Sequence, residues 1–355
     1  MVLNAKKDLI GLSREELREE LSSLGEKPFR VKQLWQWIYN KGETDFAKMS
    51  SLPAATRDKL SEGYQVSRPQ IVKEQTSVDR TRKWLLGFAD GEKVESVYIP
   101  EEDRGAVCIS TQVGCAVGCK FCHTGSQKFM RNLSAGEIVS QFMVARDSYG
   151  EWPTPAGEPR YLSNIVLMGM GEPLLNFANV SKALKIIMDE EGICMSRRRI
   201  TLSTAGIAPK IPQVASEIGV KLAISLHASN NEVRNQIMPI NRKYPLEEVI
   251  SACREFRRLA GPRQHITFEY LMLDGINDKD SHAKELISLV AGIGAKFNLI
   301  PFNEWPGCPY KSSPPERVKH FSSILQKAGF AAPVRVARGQ DILAACGQLK
   351  SKFSV

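Results

Sequence analysis

The sequence predicts an α/β protein whose core is a partial parallel (β/α)6 barrel resembling a TIM barrel. From about residue 101, six short apolar segments alternate with helical stretches. No GxGxxG motif opens this series, which argues against a doubly wound dinucleotide fold. Glycine-rich or polar residues follow the strands, where parallel barrels build their active sites.

The six predicted strands are apolar and are each followed by a helical pattern. They cover residues 107–113, 164–169, 199–204, 221–227, 266–273 and 296–303. The capping box from Ser134 to Glu137 opens the first helix. Residues 151–160 have the character of a variable loop, and residues 333–338 can form one more strand.

We expect the barrel at residues 101–332. Two smaller parts precede it. Residues 1–67 form a helical accessory module, in which a capping box at Ser13 starts a helix that Gly25 ends. Trp35 and Trp37 in this module suit either a core or an RNA contact. Residues 68–100 change to a period of two around the turn at Gly91, which predicts a linking β-hairpin. Residues 333–355 form a C-terminal extension.

Composition and charge narrow the class of protein. The chain has 355 residues, of which 43% are hydrophobic and 25% charged, as in an ordinary globular protein. No apolar run reaches the ~18 residues of a membrane helix and no signal peptide opens the chain, so we expect a cytoplasmic protein without membrane association. The net charge is +9, with nine Lys or Arg against three acidic residues in positions 296–355. This bias favours a polyanionic partner.

Three cysteines with the spacing CxxxCxxC, Cys115, Cys119 and Cys122, form the most specific motif. Three thiolates on one loop leave one corner of a 4Fe-4S cluster without a protein ligand. His123 follows directly and keeps a Cys3His zinc site open as an alternative. With Phe121 before the last cysteine, the motif resembles that of the radical S-adenosylmethionine (SAM) enzymes. The resemblance implies that SAM binds the fourth iron and is cleaved to a 5'-deoxyadenosyl radical.

For three further residues, the local sequence pattern indicates a structural role and not a catalytic one. Glu95 lies in the apolar segment Val-Glu-Ser-Val-Tyr, where a charged residue normally faces solvent. Cys108 precedes the cluster motif, and Cys346 lies in a small-residue loop near the C-terminus. A lone cysteine in such a setting is usually a buried structural thiol.

Seven motifs together resemble the RlmN family of RNA methyltransferases over essentially the whole chain. They are the strand with Cys108, CxxxCKFC, MGMGEPLLN at 168–176, RRITLSTAG at 198–206, AISLHA at 223–228, NLIPFN at 298–303 and RGxDIxAACGQL at 338–349. The resemblance implies methylation of adenine C2 in 23S rRNA, in the peptidyl-transferase region, and in tRNA, 3' of the anticodon. It also implies two SAM molecules per turnover.

The same resemblance implies a role for each matching residue. Cys115, Cys119 and Cys122 would hold the cluster. Cys346 would carry the methyl group as S-methylcysteine, Glu95 would accept the C2 proton, and Cys108 would release the product through a transient disulfide with Cys346. The residues that would contact SAM are Gly171, Glu172, Ser203, Ser225, Leu226, His227 and Asn303.

The expected partners are 23S rRNA, tRNA and an electron donor of the flavodoxin or ferredoxin type. We expect the enzyme to be a monomer. Three alternatives stay open at this point. One is the sister activity at adenine C8, the second is a nonenzymatic RNA-binding protein with a zinc site, and the third is a simple electron carrier.

Overall fold

The computed structural model describes residues 6–102, 104–155 and 160–350. The ends of the predicted accessory module and of the C-terminal extension therefore lie outside the described residues, as does the centre of the predicted loop at 151–160. Among the described residues, no helix is both long and apolar enough to span a bilayer.

The accessory module is helical, as predicted, and docks on the outside of the barrel. Its elements are β1 (Lys7–Asp8), α1 (Arg14–Ser23), α2 (Arg30–Trp35), α3 (Ala54–Gly63) and β2 (Tyr64–Gln65), with β1 and β2 paired in parallel. Ser13 and Glu16 make both bonds of the predicted capping box. Trp35 is buried and belongs to the hydrophobic core. Its Nε1 donates to Asp189 Oδ1 at 3.1 Å, which attaches the accessory module to the barrel. Trp37 is half-buried.

The predicted hairpin consists of three antiparallel strands. They are β3 (Gln70–Thr76), β4 (Arg82–Gly87) and β5 (Lys93–Pro100). Strand β5 also pairs with the first barrel strand, so the hairpin continues the barrel sheet. The solvent-facing position expected for Glu95 is wrong: its side chain is 1% exposed, because neighbouring strands and the C-terminal segment enclose it.

Six parallel barrel strands are present, but the first is shorter than the predicted 107–113. It ends at Cys108, and Gln112–Val113 pairs antiparallel with Arg131–Asn132 in a separate two-stranded sheet. In chain order the remaining elements are β6 (Gly105–Cys108), β7 (Gln112–Val113), β8 (Arg131–Asn132), α4 (Ala135–Tyr149), β9 (Asn164–Leu167), α5 (Phe177–Met188), β10 (Ile200–Thr204), α6 (Ile211–Gln213), β11 (Lys221–Ser225), α7 (Asn231–Ile237), α8 (Leu246–Ala260), β12 (Ile266–Met272), α9 (Asp280–Leu289), β13 (Ala295–Pro301) and α10 (Pro315–Lys327). The sheet order is β13-β12-β11-β10-β9-β6-β5-β4-β3. All seven residues of β12 are buried, because helices cover one face of a parallel sheet and the barrel interior the other.

The segment 333–338 does not form the further strand that its sequence allowed. The segment runs beside β13 and is joined to it by one isolated parallel bridge, between Leu299 and Val334. Arg335 N donates to Leu299 O at 2.8 Å. Proline at position 333 has no N–H to continue a ladder. The chain then leaves the sheet and carries Cys346 across the C-terminal ends of the strands.

Candidate active site

A cavity lies at the C-terminal ends of the parallel strands. The three cysteines of the CxxxCxxC motif line it together with Gly171, Glu172, Ser203, Ser225, His227 and Cys346. The fold thus brings the cluster motif and most of the predicted SAM contacts to one site. We refer to it as the first cavity.

The cysteine loop is held in place by its backbone. Gly114 has φ +74°, and a Cβ there would lie 2.2 Å from Lys128 O, so only glycine fits this turn. Lys120 N donates to Ile237 O at 2.9 Å, and Trp305 Nε1 donates to Phe121 O at 2.9 Å. These contacts fix the loop from both sides.

The three thiols have the chemistry of a multi-iron site. Burial raises the pKa of Cys115 to about 12, and it raises the pKa values of Cys119 and Cys122 as well. Cys119 feels the charges of both other thiols, so thiolates here need a cationic centre. In the described ranges, no three His, Cys, Asp or Glu side chains are grouped to share one metal ion. The cysteines of a 4Fe-4S cluster bind three different irons, so the donor set fits that group.

His123 packs between the C-terminal segment and Trp305. Its Nδ1 lies 3.2 Å from Gln348 O, and its ring stacks on Trp305 at 4.5 Å between centroids. The ring therefore braces the C-terminal segment against the cysteine loop.

Glu172 is held in the first cavity by two backbone amides. Its Oε1 accepts from Leu174 N at 3.0 Å and its Oε2 from Ala205 N at 2.7 Å. Burial raises the pKa of Glu172, although these hydrogen bonds oppose the shift. Gly171, with φ +95°, has no room for a Cβ, which would lie 2.5 Å from Gln112 Cβ. The side chain of Thr204 is a third hydrogen-bond partner of this carboxylate, which leaves one lone pair for a ligand donor.

His227 is a neutral side chain with a defined tautomer. Burial lowers its pKa to about 3, and its Nδ1 accepts from Leu271 N at 3.1 Å. The neutral ring must therefore carry its proton on Nε2. Leu226 does not line the cavity; it is fully buried, and its carbonyl accepts from Arg234 Nε at 3.0 Å.

A second cavity adjoins the first and is lined by Cys108 and Asn303, among others. Five residues line both cavities: Met168, Ile300, Arg335, Cys346 and Leu349. Cys346 thus faces the cysteine cluster motif on one side and Cys108 on the other. Asn303 lies in the second cavity and not in the first, and its Nδ2 donates to Cys346 O at 3.2 Å.

The Cys346 loop is clamped to the cysteine loop. His123 N donates to Gly347 O at 2.7 Å, and Thr124 Oγ1 donates to Leu349 O at 2.8 Å. Cys346 as a residue is exposed because it opens on two cavities, yet the protein around its sulfur raises the pKa of its thiol. Cys108 is buried, with a pKa raised to about 12, and both are free thiols.

Glu95 lies behind the second cavity and lines neither of them. Its Oε1 is 3.0 Å from Lys83 Nζ, and its Oε2 accepts from Lys350 N at 2.7 Å. Burial raises the pKa of Glu95, and the charge of Lys83 opposes that shift. The structure therefore places this carboxylate next to the Cys346 loop but not in contact with a ligand space.

Sequence reasoning missed Glu269 and Arg335, which line the first cavity. The signal for Glu269 was present: it is the one charged residue in the apolar strand segment Ile-Thr-Phe-Glu-Tyr-Leu-Met. Nothing local distinguishes Arg335 from other basic residues of the C-terminal region.

Known proteins with similar sequences define the class. A profile described as "Radical SAM superfamily" matches residues 109–287, and one described as "Ribosomal RNA large subunit methyltransferase N-terminal domain" matches residues 7–66. The crystal structure of a radical SAM methyltransferase from Sphaerobacter thermophilus is 41% identical with a TM-score of 0.90, covering 98% of this chain and 100% of that one. Fold and site therefore define a radical SAM methyltransferase.

The particular family follows from closer relatives. Proteins named dual-specificity RNA methyltransferase RlmN from Rhodospirillum rubrum and Paramagnetospirillum magneticum are 59% and 60% identical. The matches cover 97% and 98% of this chain and 80% and 77% of those proteins. The chain belongs to the RlmN family. This confirms the predicted family, fold class and enzyme class, and sets aside the electron carrier and the nonenzymatic zinc protein.

Proposed function

We propose that this chain methylates C2 of adenine in 23S rRNA and in tRNA, with Cys346 as the carrier of the methyl group. The observation that supports this most is the place of Cys346 on both cavities. A sulfur there can receive a group on the side of the cysteine cluster motif and deliver it on the side of Cys108.

The reaction requires a carrier because adenine C2 is an electron-poor carbon that does not attack a sulfonium methyl. A 4Fe-4S cluster held by Cys115, Cys119 and Cys122 would supply one electron to cleave SAM and so provide the radical chemistry. Cys346 would first take a methyl group from one SAM. Its S-methyl group would lose a hydrogen atom to the 5'-deoxyadenosyl radical that cleavage of a second SAM provides, and would then add to C2 and tether the base.

The remaining residues of the first cavity suit the binding of SAM. The remaining lone pair of Glu172 can accept a hydrogen bond from an ammonium group, and the Nε2–H of His227 can donate one. Gly171 permits close approach of a ligand to its backbone. Ser203 and Ser225 add hydroxyl groups to the same wall.

Release of the product would use Glu95 and Cys108. Glu95 would accept the C2 proton, which requires that its Oε2 leave the amide of Lys350. The adduct would pass its unpaired electron to a one-electron acceptor of the iron–sulfur class. Cys108, as its thiolate, would then attack the sulfur of Cys346; the bond from that sulfur to the bridging carbon breaks, the carbon takes a proton to complete the methyl group, and a Cys108–Cys346 disulfide remains. Both thiols lie on the second cavity, which supports this order of events.

The partners follow from this function. The net charge of +9 suits an RNA substrate, and binding should weaken as salt increases. Reduction of the cluster and of the disulfide calls for an external donor of the flavodoxin or ferredoxin type. We also propose that the enzyme acts as a monomer.

Side-by-side assays test the proposal. Anaerobically reconstituted protein, SAM and a reductant are incubated with a 23S rRNA fragment or a tRNA transcript, and the nucleosides are analysed by mass spectrometry. We expect 2-methyladenosine in both RNAs. Exclusive formation of 8-methyladenosine would replace the proposal by the sister activity, and unmodified RNA with turnover of SAM would reject it.

A further inference from the structure

Glu269 is a buried carboxylate in the first cavity whose bonding is incomplete. It is 3% exposed, and its Oε2 has no hydrogen-bond partner among the residues that the structure describes. Buried oxygens normally have a partner, so an orphan on a cavity wall indicates a role toward a ligand or a reacting group.

The carboxylate is oriented by two side chains. Asn298 Nδ2 donates to Oε1 at 3.0 Å, which leaves Oε2 as the free oxygen. Arg335 Nη1 lies 3.8 Å from Oε2, too far for a hydrogen bond but close enough for attraction. Burial raises the pKa of Glu269, which makes it a stronger base than an exposed carboxylate.

Cys346 needs a base because its thiol must lose a proton before it can attack a methyl group. Glu269, Arg335 and Cys346 line the same cavity. Burial raises the pKa of the Cys346 thiol, Arg335 opposes this shift, and the negative charge of Glu269 adds to it. The carboxylate and the thiol thus belong to the wall of one cavity.

Other groups are less suited to take this proton. Glu172 accepts two backbone amides and has Thr204 as a third partner, and its remaining lone pair is the proposed acceptor for the ammonium group of SAM. The Nδ1 of His227 accepts the amide of Leu271, so its other nitrogen carries a proton and cannot accept one. Glu95 lines neither cavity. In contrast, Oε2 of Glu269 accepts no hydrogen bond from the residues that the structure describes.

We propose that Glu269 is the general base for methylation of Cys346, taking the thiol proton directly or through one water. As the sulfur of Cys346 forms its bond to the methyl carbon, the bond between that carbon and the sulfonium sulfur of SAM breaks. The products are S-methylcysteine, S-adenosylhomocysteine and the neutral carboxylic acid of Glu269. This role rests on the proposed function, since it presupposes that Cys346 is the methyl carrier.

Two measurements on the Glu269→Gln variant test the proposal. In the first, reconstituted protein with unmethylated Cys346 is mixed with methyl-labelled SAM without RNA, and peptide mass spectrometry follows the label on Cys346. We expect the rate to fall by about 10² or more, as for loss of a general base. In the second, iodoacetamide alkylation of Cys346 is followed at fixed pH without SAM. We expect it to become faster, because removal of a negative charge lowers the pKa of the thiol.

The opposite directions of the two effects distinguish a base from a merely structural residue. Glu269→Asp, which keeps the charge, should recover part of the methylation rate. Glu255→Gln on the exposed face of α8 is the matched control. Methylation at the wild-type rate in Glu269→Gln, or a parallel fall of methylation and alkylation, would overturn the role of Glu269. Absence of label on Cys346 in the wild-type protein would instead overturn the proposed function.

Discussion

Lys83 Nζ lies 3.0 Å from Glu95 Oε1, and both side chains are buried. The same amine donates to Leu343 O at 3.1 Å, and the second oxygen of Glu95 accepts from Lys350 N at 2.7 Å. Leu343 and Lys350 stand on either side of Cys346 in the chain. One ion pair of the hairpin therefore holds both ends of the loop that carries the proposed methyl acceptor.

Removal of the lysine should destabilise the protein strongly. Lys83→Met leaves the carboxylate of Glu95 buried without its cation, and breaking such a pair costs about 3–5 kcal/mol. Denaturant unfolding measures this loss. The double variant Lys83→Met/Glu95→Leu removes both charges, so we expect it to recover most of the stability. A double variant no more stable than the single one would contradict the importance of the pair.

The tip of the same hairpin holds the loop at a second place. Asp79 Oδ2 accepts from Gly339 N at 3.0 Å, and Asp341 Oδ2 accepts from Val78 N at 3.2 Å. Burial disfavours ionisation of Asp79, but hydrogen bonds from Thr81 and Gly339 outweigh it and lower the pKa of Asp79 to about 2. The clamp is therefore charged at neutral pH.

Loss of this clamp should free the Cys346 loop. Hydrogen bonds to charged groups contribute about 1.5–3 kcal/mol, so Asp79→Ala should speed alkylation of Cys346 by about tenfold or more. Peptide mass spectrometry after timed iodoacetamide treatment measures the rate. Asp58→Ala on the exposed face of α3 is the control. If the two variants react equally fast, the hairpin tip does not restrain the loop.

His227 should make the stability of the protein depend on pH. Its pKa is about 3 in the folded chain against 6.5 in the unfolded one, so the unfolded chain binds more protons between these values. Its contribution is therefore complete above pH 6.5 and is lost as the pH falls toward 3, by up to about 1.4 kcal/mol per pH unit.

Comparison of variants isolates this contribution from that of other groups. Asparagine does not titrate and tolerates the left-handed backbone of His227, whose φ is +57°. Urea unfolding of the cluster-free protein between pH 6 and pH 4 should show a shallower loss of stability in His227→Asn than in the wild type. His265→Asn at the surface is the matched substitution. Equal slopes in wild type and His227→Asn would contradict a buried neutral histidine.

Local patterns were enough to predict much of this fold. The capping boxes at Ser13 and Ser134 and the alternation of apolar strands with helices are set by neighbouring residues, and all six parallel strands are present. The cysteine triplet was also evident, because its three cysteines lie within eight positions.

Features that depend on tertiary contacts were not predictable from local sequence. Glu95 looked like a solvent-facing residue because its partner Lys83 and the amide of Lys350 are distant in the chain. Glu269 gained its significance only from the cavity and from Asn298. The pattern around Cys108 and Cys346 gave no sign of their proximity, which only family resemblance suggested before the structure brought both to one cavity.

Single-turnover transfer of a labelled methyl group tests the central role of Cys346 most directly. Protein carrying a ¹³C-methyl group on Cys346 is mixed anaerobically with unlabelled SAM, reductant and RNA, and the first product is analysed by mass spectrometry. Transfer through Cys346 predicts that the methyl carbon of 2-methyladenosine is ¹³C. A first product with an unlabelled methyl carbon, with the label still on Cys346, would contradict it.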